Sequence, residues 1–273
     1  MPISADLHDR HYQPDDPGAA FAVASAALFA AFADVAFDPA MAHSPGSVSP
    51  DDVGALGQPV GELPPDLVGR FVIRAGTTWG SADDLRRITP RALTLAADNA
   101  LPVDRAVLWE KLRWAGWPGW PAPQIAAVQD FLAAEWARLV RSPARPAHIA
   151  HRWLGAIAPA TQDLEPFLHE WHEALGPLTP PAHLHAAASH LVALLVDSPL
   201  RPDLPATMAD VIPPSGGPAA EQLTTWLIGP GTSHQLRRAA ADLADTRDAR
   251  RLALALERLR RFTDAVAQHA SAD

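Results

Sequence analysis

The sequence predicts an all-α protein, an irregular bundle of about ten helices without a significant sheet, with solenoid-like stacking of helix pairs as its variant form. Three observations carry this. Apolar residues recur at three- and four-residue spacing in nearly every segment between the 28 prolines. The one β-rich run, Phe71-Val72-Ile73, lies inside such a helical pattern. Five of the nine tryptophans fall between Trp109 and Trp136, in a segment that reads as two helices joined by a stiff corner.

In chain order, residues 1–18 combine Asp6, Asp9, Asp15 and Asp16 with three prolines and few apolar residues, and predict a flexible tail. Residues 19–37 are almost wholly apolar. The acidic segment before them has no positive n-region and Asp34 interrupts the run, so they predict a buried first helix and not a signal or anchor. Residues 38–62 read as a surface connection with one helical turn capped by Ser49. A helix follows over 65–74, closed by Gly76. Ser81 and Asp84 have capping-box spacing at the start of the next, which Pro90 is expected to kink or divide.

Trp109, Leu112 and Trp114 then ride a helix that Gly116 ends, and Pro118, Gly119 and Pro121 forbid another until Pro123 restarts one. In that second helix Ile125, Val128, Phe131, Leu132, Trp136 and Leu139 make the apolar stripe. Asp130, Glu135 and Arg138 take the polar face. The hairpin is expected to be the centre of the body, since each buried tryptophan removes roughly 150–250 Å² from water.

The segments Thr77-Thr78-Trp79-Gly80, Asp83-Asp84, Pro90-Arg91, Lys111-Leu112, Ala115-Gly116-Trp117 and Trp120-Pro121, with Val128, Phe131 and Trp136, resemble a family of bacterial α-helical proteins without an assigned activity. The resemblance covers roughly residues 63–175 and implies a helical fold. Two features of the family are absent: a short cysteine pair ahead of this region, and a leucine where Thr89 stands. A metal role of that pair therefore does not transfer.

Beyond Arg141, helices are predicted over 147–158, 162–175 and 182–197. Residues 199–218 hold six prolines and form an irregular connection, a possible seam in an otherwise single domain spanning 19–273. Helices resume at 219–228, from Ser233, and after a cap at Thr246.

The chain has no cysteine, which removes disulfides, thiolate catalysis and cysteine-ligated metal centres. Its formal charge of −9 is uneven: residues 1–66 hold ten acids and one base, leaving 21 of each sign beyond. No basic tract precedes the last helices, which argues against a nucleic-acid partner. The 21 arginines against one lysine, Lys111, read as the codon bias of a high-GC genome. A cytoplasmic location is expected, with no membrane partner.

Seven of the twelve histidines lie between 148 and 190. His148 with His151, and His169 with His172, are three apart and share a helix face, as a metal site needs. Glu165 and Glu173 supply nearby carboxylates. A transition-metal enzyme would require the two helices to pack antiparallel so that these faces meet. Trp79, Trp114, Trp117 and Trp120, at helix ends and corners, are the candidates for a ligand or partner surface. Phosphate loops, nucleophile elbows and dinucleotide motifs are missing. The reading favoured is a non-catalytic protein with a protein partner or a second copy of itself, needing no cofactor.

Overall fold

The computed structural model describes residues 16–161, 163–197, 217–242 and 249–270. Twelve α-helices organise them, and no strand occurs among the described residues. These are α1 (Pro17–Ala31), α2 (Pro50–Ala55), α3 (Pro65–Arg74), α4 (Ala82–Ala97), α5 (Arg105–Trp114), α6 (Ala122–Arg141), α7 (Ile149–Thr161), α8 (Glu165–Ala174), α9 (Pro181–Val196), α10 (Gly217–Ile228), α11 (Pro230–Asp242) and α12 (Ala249–Ala270). Single 3₁₀ turns lie at Val60–Glu62 and Trp117–Gly119. Most of the expected tail and connection, residues 1–15 and 198–216, and the cap at Thr246 fall outside the described residues.

The chain enters α1 earlier than expected, because the Asp16 carboxylate caps it by accepting from the Gly18 N–H at 2.8 Å. This helix is not the buried one that its composition predicts. Its alanines leave most of the outer face in water, with Val23 67% exposed, while Ala24 and Leu28 turn inward. Phe21 meets Phe131 of α6 at 5.3 Å between ring centroids, and α1 lies along α6. No described helix is long and apolar enough to cross a membrane.

Pro90 neither divides nor ends α4, which runs unbroken through it. The missing donor costs about 3 kcal/mol, and burial of Ile88, Ala92, Leu93 and Leu95 against neighbouring helices offsets it. Pro159 is carried inside α7 in the same way, so α7 reaches Thr161. The Ser81–Asp84 capping box forms: the Asp84 carboxylate accepts from Ser81 N–H at 2.7 Å, and Ser81 Oγ accepts from Asp84 N–H at 3.3 Å. Gly116 stops α5 with φ +69°, the left-handed conformation glycine adopts without strain.

One hydrophobic core runs from Leu28 to Phe262, and α6 and α9 form its axis. Helix α6 packs on α1, α7, α8 and α9. Helix α9 packs on α6, α7, α8, α11 and α12. Contacts between elements so distant in order make an irregular bundle, since a stack of repeats touches neighbours only. The hairpin contributes α6 to the centre and Trp117 of its corner to the core, while Trp114 at the end of α5 is 48% exposed.

Two features depart from the expected surface. Glu135 sits on what periodicity marks as the polar face of α6, yet it is 1% exposed. Arg138 donates to its Oε2 at 2.7 Å and Arg145 stands 3.7 Å from Oε1. Burial pushes the carboxyl up to about 7, against the pull of both arginines. The arginines, in turn, are more than a compositional bias, because many close helix C-termini from a distance. Arg87 forks onto the carbonyls of Leu56 and Gln58 at 2.6 and 2.9 Å, just past α2. Arg105 and Arg145 donate to Ala96 and Ala97 at the end of α4. Arg238 donates to Leu175 after α8, and Arg258 to Leu195 and Val196 at the end of α9. Each guanidinium satisfies carbonyls the helix leaves unpaired and opposes the negative end of its dipole.

A candidate binding cleft between two helices

Aromatic stacking carries the core outward to one surface. Trp136 donates its indole N–H to the Phe167 carbonyl at 2.7 Å and meets Trp171 edge-on at 5.5 Å. Trp171, fully buried, donates to Ala187 of α9 at 3.1 Å and stacks on Trp226 of α10 at 5.3 Å. This row of three indoles sets the distance between α8 and α10. Where they part, an open cleft of about 580 Å³ is lined by Leu168, His169, Glu165, Glu221, Thr225 and Trp226, with His172, Pro218 and Gln222 completing it.

Its walls are fixed by side chains from sequence-distant positions. Gln222 of α10 accepts from the Leu164 N–H at 2.6 Å and donates to Asp163 at 3.1 Å, which caps α8 where its own N-cap residue has no suitable side chain. Gln235 of α11 donates to the His172 carbonyl at 3.1 Å and to His172 Nε2 at 3.0 Å. A carbonyl accepts only from the amide nitrogen, so the amide orientation is set. Nε2 must then accept, leaving the imidazole proton on Nδ1. Thr232 ties α11 to the Trp226 carbonyl at 2.6 Å.

Glu165 and Glu221 are exposed at the rim, with exposed Asp163 beside them. An indole, an aliphatic wall and two carboxylates suit a cationic side chain with an alkyl stem, which an aromatic face and carboxylates hold together.

The predicted metal set is not assembled. His169, His172 and Glu165 share the cleft, while Glu173 is exposed and does not line it. His148 and His151 lie elsewhere, grouped with His190 and Asp197. The reason is packing: α8 lies on α6, α9 and α10, and α7 on α5, α6 and α9, so the two histidine faces turn apart. Among the described residues no three His, Asp or Glu side chains are placed to hold a metal ion.

The four tryptophans expected to form a surface are dispersed. Trp79 and Trp117 are core residues, edge-on to Phe71 and Trp109. Trp120 meets Phe32 and donates to Ala115 at 3.2 Å. Only Trp114 presents its ring outside, lying over Gly76. The indole that does line a cleft, Trp226, was missed because its partners on α8 are more than fifty residues upstream. No family model matches the chain, and no curated protein or solved structure does.

Proposed function

We propose that this chain is a non-catalytic helical interaction protein of the bacterial cytoplasm, which docks a basic segment of a protein partner in the α8–α10 cleft. The observation that carries this reading is the joining of Trp226 and Leu168 with Glu165 and Glu221 in one open space of about 580 Å³. That volume suits an arginine or lysine side chain and its neighbours along a peptide. The net charge of −9 favours encounter with a cationic partner. The resemblance to a bacterial helical family is in keeping with a helical scaffold and adds no activity.

A fluorescein-labelled arginine-rich peptide of about ten residues, followed by anisotropy at low and high salt, tests the proposal. Exposed ion pairs contribute up to about 1 kcal/mol each, so E165Q/E221Q is expected to weaken binding by about 5- to 30-fold. The W226F variant, which keeps the ring stack and loses the indole face, weakens it less. Affinity unchanged by both variants, or no binding at low salt, contradicts the proposal. Stoichiometric zinc, iron, manganese or nickel in the purified protein would replace it with the enzyme reading. Light scattering separates a partner from a second copy of the chain.

A further inference from the structure

Two imidazoles line the α8–α10 cleft, and one of them has its proton fixed in place. His169 is exposed, and no hydrogen bond among the described residues orients its ring. His172, three residues on, is half-buried and held from two directions. Gln235, 8% exposed, turns both amide hydrogens to it, one to the His172 carbonyl at 3.1 Å and the other to ring Nε2 at 3.0 Å. Its Oε1 has no hydrogen-bond partner, so the amide is held through these hydrogens alone. Reversing it would set that oxygen against the carbonyl oxygen. Gly231 of α11 makes room for the ring, since a Cβ there would stand 3.0 Å from Cε1.

Nε2 is thereby an acceptor and the imidazole proton sits on Nδ1. Among the described residues that N–H has no acceptor, although its ring stands in the wall of an open cleft. The position of this donor is set before any ligand arrives, which the swivelling ring of His169 does not offer.

We propose that His172 is the residue that reads the main chain of the bound segment, donating from Nδ1 to one of its backbone carbonyls while Glu165 and Glu221 take the basic side chain. This inference rests on the reading of the cleft as a docking site for a basic segment. The chemistry of the acceptor follows from its neighbours. Two carboxylates that attract a guanidinium repel a carboxylate or phosphate on the ligand, so a single N–H beside them selects a neutral oxygen. A peptide supplies such an oxygen at every residue. Charge contacts alone leave a long side chain free to enter with its main chain placed in several ways, and a fixed N–H on one wall selects among them.

Anisotropy of the arginine-rich peptide on the full chain at pH 7.5 tests this, with agmatine, an alkylguanidine that has no carbonyl, as the competitor. In H172N the amide nitrogen falls close to the place of Nδ1 and keeps a donor there, whereas in H172Q it falls close to Nε2 and the donor is lost. H172Q is expected to weaken the peptide by about 3- to 10-fold, the loss of one hydrogen bond, and H172N by less than about twofold, with competition by agmatine unchanged in both. Equal peptide affinity in wild type and H172Q overturns the inference and leaves the cleft reading standing. Equal loss of peptide and agmatine in H172Q also overturns it, because the ring then only shapes the cleft. No binding of the peptide by the wild type removes the cleft reading and this inference together. If the variants do not fold, ¹⁵N NMR of the wild-type imidazoles decides: a His172 proton on Nδ1 that the peptide shields from exchange with water supports the inference, and a proton on Nε2, or an Nδ1 signal that the peptide leaves unchanged, refutes it.

Discussion

Replacing Arg87 by lysine keeps the charge and removes the fork. Arg87 is 8% exposed, its two terminal nitrogens donate to the Leu56 and Gln58 carbonyls, and its guanidinium lies over the Phe37 ring at 5.3 Å. A lysine ammonium is a single point and reaches one carbonyl well. The other loses its charged donor, and a hydrogen bond to a charged group contributes about 1.5–3 kcal/mol. R87K is therefore expected to cost about 1.5–3 kcal/mol, equivalent to a melting temperature lower by ~3–12 °C for a chain of this size. R87A, which loses both bonds and the ring contact, costs more. The control is R70K, because Arg70 pairs with Asp52 on the surface and is 44% exposed there; its loss stays within about 0.5 kcal/mol. Urea unfolding followed by circular dichroism gives all three values. An R87K midpoint within about 0.5 kcal/mol of wild type would refute the argument that these guanidiniums close helix ends.

Three further substitutions probe the core and its edge. Gly76 has φ +72°, and a Cβ there would lie 2.2 Å from the Trp114 ring, so G76A destabilises by both clash and backbone strain. W114A in the G76A background restores only the steric part and leaves the left-handed cost of about 1–2 kcal/mol, and full rescue would contradict this division. W171F keeps most of the ring volume but leaves the Ala187 carbonyl without the indole N–H, at a cost of about 1–3 kcal/mol. Unchanged stability by urea titration would show that this bond is dispensable.

What the sequence made legible is what a chain encodes locally. Capping at Ser49 and Ser81, the stop at Gly116 and the restart at Pro123 are all written in residues within a turn of the feature. That Pro90 leaves α4 undivided and that Glu135 is buried both depend on what packs against them. A helix accepts proline when burial on both sides holds it, and a carboxylate enters a core when arginines arrive with it. The guanidinium caps left no signal at all, since every residue offers the carbonyl that accepts them. The cleft was half visible: His169 and His172 stood out by spacing, while Gln222, Trp226 and Gln235 belong to helices beyond a long connection.

The central claim, that the α8–α10 cleft is the docking site for a basic segment, is tested most directly by the exchange footprint of the arginine-rich peptide on the full chain at pH 7.5. The account predicts added protection confined to α8, α10 and the Gln235 turn of α11, and reduced at the same peptide concentration in E165Q/E221Q. Protection centred on Trp114 and Ile73 at the α3–α5 surface, or spread evenly along the chain, would contradict it.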